Sequence, residues 1–445
     1  MDKHSDPVLL SMFARGRLSR RRNREIVRHL LARCGHCCRI ASRYLPPARV
    51  GGDAGWLDYG RAFVRAWRET ERRQADLAAE RTAAPGLLRE LLAQPCEQQR
   101  ILATGSSRYR SWGFCELLLE AARERGFQDP ARALELAKLG VEVAARLDPA
   151  AYGESRVNDL VARAWAGLAN AQRIRSDFRN AEESFARAER LLKKGTGDPV
   201  EKAHVLLLKS SLLGNQQRFR ESLRLLDRAL AIGRRLDDPQ LCGRALIMRG
   251  FLLGIANDQE AAIPCLTEGI RKLDPSSDPR LLVAAQHNLI LFLFESGQSD
   301  EAMRLLERAR PLYHQVGDRM SLLRLHWLEG KIAISLKRFA EAEEILRDVR
   351  QELIERELEY DAALLSLDLA DSYAQQGRSA EMRRLAGEML SIFKSLDIRR
   401  EAIAALLLFQ KAAQMERVTL GLIREVSGYL KDSRADLGLR FREPR

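Results

Sequence analysis

Three residues near the N-terminus have the types and spacing of metal ligands. His29, Cys34 and Cys37 form the pattern H-x4-C-x2-C. Zinc takes four soft or borderline ligands in a tetrahedron, and this set supplies three of them. His4, Cys38 or His36 could supply the fourth. A segment of about fifty residues has little core of its own, so a structural zinc ion would contribute folding energy there. Two other readings stand beside zinc. Cys34-Gly35-His36-Cys37 could act as a redox dithiol, but such motifs sit in a βαβ unit, whereas here Arg33 precedes the first cysteine and the pattern around it is helical. The third reading is a set of surface thiols without metal. Cys96, Cys115, Cys242 and Cys265 stand singly in apolar helical pattern, where small buried thiols are expected. An odd total of seven argues against a disulfide framework.

The same segment is basic. The chain of 445 residues carries a formal charge of +13, and residues 1–49 hold 12 Lys or Arg against three Asp or Glu. Arg20, Arg21, Arg22 and Arg24 could contact phosphates, which makes a nucleic-acid-associated regulator the alternative function. No aromatic residue interleaves the run to stack on bases, and no recognition helix follows it. A solvated helix face explains it equally well, since 62 of the 74 cationic residues are Arg.

Elsewhere no catalytic constellation emerges. Gly195-Thr196-Gly197 lacks the preceding strand and following Lys-Ser/Thr of a phosphate loop. His204, His287, His314 and His326 are isolated. The acid pairs Glu182-Glu183 and Glu343-Glu344 are adjacent, so their members point to different helix faces. A non-enzymatic protein is expected. No apolar stretch approaches the ~18–20 residues needed to cross a bilayer, and no signal peptide is evident, so a cytoplasmic protein is expected.

The elements that must position these residues are repeats. Small residues at Ala181, Ser222, Ala262, Ala302 and Ala342 mark a register of about 40 residues, continued at Met382 and preceded by Ala133. Each copy holds two apolar stripes of helical spacing around a short turn, such as Arg175-Ser176-Asp177-Phe178 or Leu336-Lys337-Arg338-Phe339. Asp-rich or Pro-bearing breaks, such as Asp237-Asp238-Pro239, close several copies. Composition agrees: 46% of residues are apolar but only 6% aromatic, so Leu and Ala dominate, which favours helix.

The run Trp165-x2-Leu168-Ala169, with Ala181-x3-Phe185-x2-Ala188 after it, resembles the tetratricopeptide repeat. The resemblance covers about seven copies between residues 113 and 430, with a longer period than the family's 34. It implies an all-α, right-handed solenoid of helix pairs, whose first helices line an inner wall that docks a protein or peptide. Carrying over the family's groove-facing positions gives Arg163, Asn170 and Arg173, then His204 and Ser211, then Arg244, Ile247 and Phe251. Later copies give His287, Leu291 and Phe294, then Arg324, Trp327 and Lys331, then Leu367 and Asp371. An apolar strip edged by cations suits an acidic peptide with apolar anchors. The alternative is that longer helices turn these aromatics into packing.

Arg24-x4-His29-Leu-Leu-x2-Cys34-x2-Cys37 is similar to the zinc-binding domain of anti-sigma factors, which space their ligands H-x3-C-x2-C. That resemblance implies a zinc module holding a sigma-like transcription factor in a bacterial regulator. The organisation expected is a zinc-binding module at 1–45 and a linker at 46–56, where Pro and Gly cluster. A helical cap at 57–112 follows, then a repeat array at 113–435 and a tail at 436–445. Within the cap one long helix is expected at 57–83, with Pro85 starting a shorter one.

Overall fold

The computed structural model describes residues 6–14, 18–31, 34–44, 59–126, 129–316, 319–356, 358–394, 409 and 420–435. The side chains of Arg20, Arg21 and Arg24 lie outside the description, as does His4. The protein is 86% helical with no strand among the described residues, where 21 helices pack as successive adjacent pairs. Two compact units divide it, residues 1–197 and 198–445.

The first unit opens with three short helices, α1 (Pro7–Ala14), α2 (Arg20–Leu31) and α3 (Gly35–Tyr44). Their apolar residues build a small core of Leu10, Phe13, Ile26, Leu30, Cys37 and Ala41. Ser19 caps α2, its Oγ accepting from the Arg22 N–H at 3.4 Å. Next come α4 (Tyr59–Leu92) and α5 (Cys96–Gly105), and a 3-10 turn at Ser107–Tyr109. Two helix pairs complete the unit: α6 (Trp112–Arg125) with α7 (Pro130–Ala144), and α9 (Glu154–Ile174) with α10 (Phe178–Leu192). The short α8 (Pro149–Tyr152) takes up the extra length between them.

Pro85 does not start a new helix. It lies inside the 34-residue α4, although an interior proline costs a helix about 3 kcal/mol. Burial outweighs that cost. Ala84 and Leu91 are fully enclosed, and Leu87 and Leu88 pack on the same core. α6 crosses α4 closely, with Gly113 so near that a Cβ there would lie 2.6 Å from the Arg81 nitrogen.

The second unit repeats one plan five times. Its pairs are α11 (Pro199–Asn215) with α12 (Phe219–Leu236), α13 (Pro239–Ile255) with α14 (Gln259–Lys272), and α15 (Pro279–Glu295) with α16 (Ser299–Val316). Then follow α17 (Arg319–Ser335) with α18 (Phe339–Glu355), and α19 (Glu359–Gln375) with α20 (Ser379–Lys394). A last helix, α21 (Leu420–Ala435), packs on α19.

Each pair is built by the same local devices. Asp198, Asp238 and Asp278, each followed by Pro, cap α11, α13 and α15 by accepting from the N–H of Val200, Leu241 and Leu281 at 2.8, 2.9 and 3.2 Å. The sequence breaks are thus starts of first helices. At the turn within every pair from α9–α10 onward one residue takes the left-handed conformation: Ser176, Gln217, Asn257, Gly297, Lys337 and Gly377, with φ between 59° and 78°. The residue after each donates its N–H to a carbonyl five positions back at 2.9 Å, the pattern that closes a helix C-terminus. The register residues Ala181, Ser222, Ala262, Ala302 and Ala342 are completely buried, and Met382 retains 7% exposure.

Candidate functional site

In the N-terminal module, α2 delivers His29 from its last turn, while Cys34 immediately precedes α3 and Cys37 lies in that helix's first turn. The cysteines therefore stand at a helix start and not on a free loop. His29, Cys34 and Cys37 bring their ligand atoms within 4.8 Å of one another. The His29 Nε2 lies 3.3 Å from the Cys37 Sγ. A tetrahedral zinc with ordinary bond lengths needs N···S and S···S separations of about 3.6 and 3.8 Å, so the donor set and its spacing fit that ion. Cys37 is completely buried and belongs to the module core, which fixes the site to the fold.

Neither Cys38 nor His36 joins this group of ligand atoms. The Cys38 thiol donates to the Leu30 carbonyl at 3.6 Å, and burial together with Cys34 raises its pKa. His36 is exposed, and His4 lies outside the described residues. Of the four arginines offered for phosphate, Arg22 pairs with Glu25 at 2.9 Å. The four single cysteines differ from one another. Cys115 and Cys242 are buried, the former with its pKa pushed up to about 12 by desolvation. Cys265 is half-buried, and Cys96 is exposed with its Sγ 3.1 Å from the Arg132 Nη1. Cys96 starts α5, which packs on α4 and α7 and leaves the thiol exposed.

In the first unit, Arg163 faces Glu116 at 3.7 Å and Arg173 donates to the Asn170 Oδ1 at 3.0 Å. Burial lowers the Arg173 pKa. In the second unit, first helices bring several predicted residues together. Lys331 of α17 stands 5.7 Å from the Phe294 ring of α15 and 4.0 Å from the Asp368 carboxylate of α19. Trp327 donates its indole N–H to that carboxylate at 2.6 Å. Arg244 pairs with Asp278 at 3.2 Å, and its buried Nε has no hydrogen-bond partner. Desolvation, helped by the Arg324 charge, pushes the His287 pKa down to about 4. His204 is half-buried.

The predicted strip separates into two kinds of residue. Ile247 and Leu367 are 4% and 0% exposed and belong to the core, so the longer helices do turn these positions inward. Leu291, Phe294 and Trp327 are partly buried against that core. Phe251 remains 43% exposed, and one turn later on the same helix Ile255 is 46% exposed.

The carried-over positions missed a cleft beside Trp327. It has a volume of about 230 Å³ and lies among α17, α18 and α19. Leu323, Val349, Leu353 and Leu364 make it apolar, with Trp327 as a wall and Arg324 and Asp361 as polar lining. Arg324 is exposed and forms no ion pair among the described residues. Asp368 was missed too, because it lies one residue beyond Leu367, the position equivalent to Trp327, and so is not among the carried-over positions.

Neither a protein-family profile nor a curated protein matches the sequence. Solved structures share its fold. A signal-transduction ATPase (STAND protein) with a tetratricopeptide repeat sensor from Pyrococcus horikoshii aligns with TM-score 0.56 and 14% identity, over 84% of this chain and 54% of that one. The aspartyl phosphate phosphatase F of Bacillus subtilis gives 0.47 and 13%, over 89% and 95% of the two chains. A Rap protein complexed with competence and sporulation factor gives 0.46 and 14%, over 77% and 98%. At 14% identity the likeness to the repeat sensor is one of fold alone: successive helix pairs of the tetratricopeptide type. No described helix is long and apolar enough to cross a membrane.

Proposed function

We propose that the protein is a regulatory interaction scaffold that docks an acidic peptide or protein segment with apolar anchors on the first helices of its second unit. The observation that carries this reading is the cleft beside Trp327. It offers an apolar floor large enough for one big side chain, with a solvent-exposed guanidinium, Arg324, at its lining. A carboxylate neighbouring an apolar residue would meet both features at once. The exposed Phe251 and Ile255 on α13 add apolar surface two repeats upstream. Arg244 and Lys331 already hold intramolecular carboxylates, so charge selection falls mainly on Arg324.

The N-terminal module, on the same reading, holds zinc through His29, Cys34 and Cys37, and the ion when bound adds folding energy to a core of six buried residues. A sigma-like partner is the sharper form of the regulatory reading; its support is the ligand types of that module, whose His-to-Cys spacing is one residue longer than in anti-sigma factors.

Panning a random peptide library against the whole protein tests the docking site. The expected consensus places Leu, Phe or Trp next to Asp or Glu. Arg324→Glu should replace the acidic position by Lys or Arg, and Trp327→Ala should lower affinity about tenfold or more, as for other aromatic anchors. An unchanged consensus in Arg324→Glu would return the cleft to packing.

A further inference from the structure

The second helix of the second unit's first pair carries more exposed arginines than acids. Along α12, Arg220, Arg224, Arg228, Arg234 and Arg235 are all exposed. The helix has two acidic residues, Glu221 and Asp227, and both are engaged by other arginines. Glu221 takes Arg218 at 2.7 Å, and Asp227 takes Arg249 of α13. None of the five forms an ion pair among the described residues. Contrast α18, where Arg347 is held by Glu343 and Arg350 by Glu388, and Arg356 just past its end by Glu352.

Arg220, Arg224 and Arg228 follow one another at i, i+4, so they share one face at about 6 Å intervals. Like charges at that spacing cost a helix a few tenths of a kcal/mol per pair. A polyanion laid along the face would reverse the sign of that term. The composition of the face decides which polyanion. Protein interfaces need an apolar, preferably aromatic centre, and charged residues are depleted there. The exposed positions of α12 other than the arginines are Glu221, Asp227, Ala231 and the helix-end Leu236, with no aromatic residue. A phosphate backbone makes no such demand, because released counterions supply the free energy. With no aromatic to stack on bases, contact would be with phosphates alone.

We infer that α12 is a sequence-independent binding surface for the phosphate backbone of nucleic acid, with Arg220, Arg224, Arg228, Arg234 and Arg235 as the contacts. These residues are other than those of the peptide cleft and of the arginine run on α2.

The test is fluorescence anisotropy of the whole protein with a labelled 25-base-pair DNA duplex of random sequence between 50 and 200 mM KCl. Five phosphate contacts give a slope of log K against log salt of about −4.5, a loss of about 500-fold across that range. The variant Arg220→Gln/Arg224→Gln/Arg228→Gln should bind more weakly and flatten the slope to about −1.8, a loss of about 12-fold. Circular dichroism and the urea midpoint should show that this variant keeps its fold. Replacing Arg20, Arg21, Arg22 and Arg24 by Gln should leave more than half of the slope in place. A triple variant with the parental slope overturns the assignment, as does failure of the protein to bind the duplex at 50 mM. Capture of a polyglutamate peptide with no duplex binding would also overturn it, in favour of an acidic protein partner.

Discussion

At the scale of single residues, burial and neighbouring charge decide what each titratable group can do. Cys37 is fully enclosed among Leu10, Phe13, Ile26 and Leu30, so its sulfur is a structural group whether thiol or metal ligand. Elemental analysis of protein prepared without chelator should give about one zinc per chain, as a tetrahedral structural site requires. Cys34→Ala and His29→Ala should each lower that content severalfold and destabilise the module. A parental protein free of zinc would remove the metal from the account. The clustering of His29, Cys34 and Cys37 was legible in the sequence because H-x4-C-x2-C is a local pattern. The fourth ligand was not, since spacing cannot say that Cys38 turns back to the Leu30 carbonyl. His287 illustrates a property no pattern reveals. An isolated histidine on a helix reads as inert, yet burial beside Arg324 holds its pKa at about 4. In the unfolded chain it would titrate near 6.5. Between those values the unfolded chain binds a proton that the folded protein does not, so stability falls as pH drops through that window. Urea unfolding at pH 7 and pH 5 should show a loss of about 2 kcal/mol from this group, and carboxylates stay mostly ionised over the same range. His287→Gln should remove most of the difference. An equal loss in the variant would assign it elsewhere.

At the scale of elements, the repeat was readable because its strongest constraint is steric and local. Where two helices of a pair cross, only a small side chain fits, and the register of Ala181, Ser222, Ala262, Ala302 and Ala342 follows directly from that crossing. The turns were readable as turns but not as conformations. Gly297 and Gly377 announce a left-handed residue, whereas Ser176, Gln217, Asn257 and Lys337 adopt the same φ at equivalent places without glycine's help. The packed helices on either side impose it. Such positions carry a measurable strain, because a side chain with a Cβ disfavours the left-handed region. Lys337→Gly should therefore raise stability by about 1 kcal/mol, and Gly297→Ala should lower it by a similar amount. The two urea midpoints should move in opposite directions with unchanged slope. If Lys337→Gly is destabilising, the Lys337 side chain contributes more than its backbone costs. α4 marks the opposite limit of local reading. Proline chemistry predicts a break at Pro85, and the helix continues because Ala84, Leu87, Leu88 and Leu91 gain more from burial than the missing hydrogen bond costs.

At the scale of the whole chain, the charge of +13 and the length of 445 residues describe different parts. Length belongs to the helix pairs, whereas excess positive charge concentrates in the first 49 residues and along α12. The division at residues 197 and 198 was not visible in the repeat register, because the spacing from Ala181 to Ser222 differs from the later ones by a single residue. Each unit has its own cores. Residues 84–171 supply the main buried core of the first, and residues 203–252 together with 247–426 supply those of the second. The starting helix of the second unit is capped by Asp198 and begins on Pro199, so its N-terminus needs no residue from upstream to satisfy it. Repeat arrays derive stability from each pair and its contact with the next, and five consecutive pairs exceed the minimum of about three that such arrays require. Residues 198–445 produced alone should therefore fold. The fragment's circular dichroism should show helical content near that of the same residues in the structure, and its urea unfolding should be cooperative, with a midpoint matching a transition of the full chain. A fragment without helix, or one melting gradually from the start of the titration, would mean that the upstream helices are required for the second unit's first pairs to form.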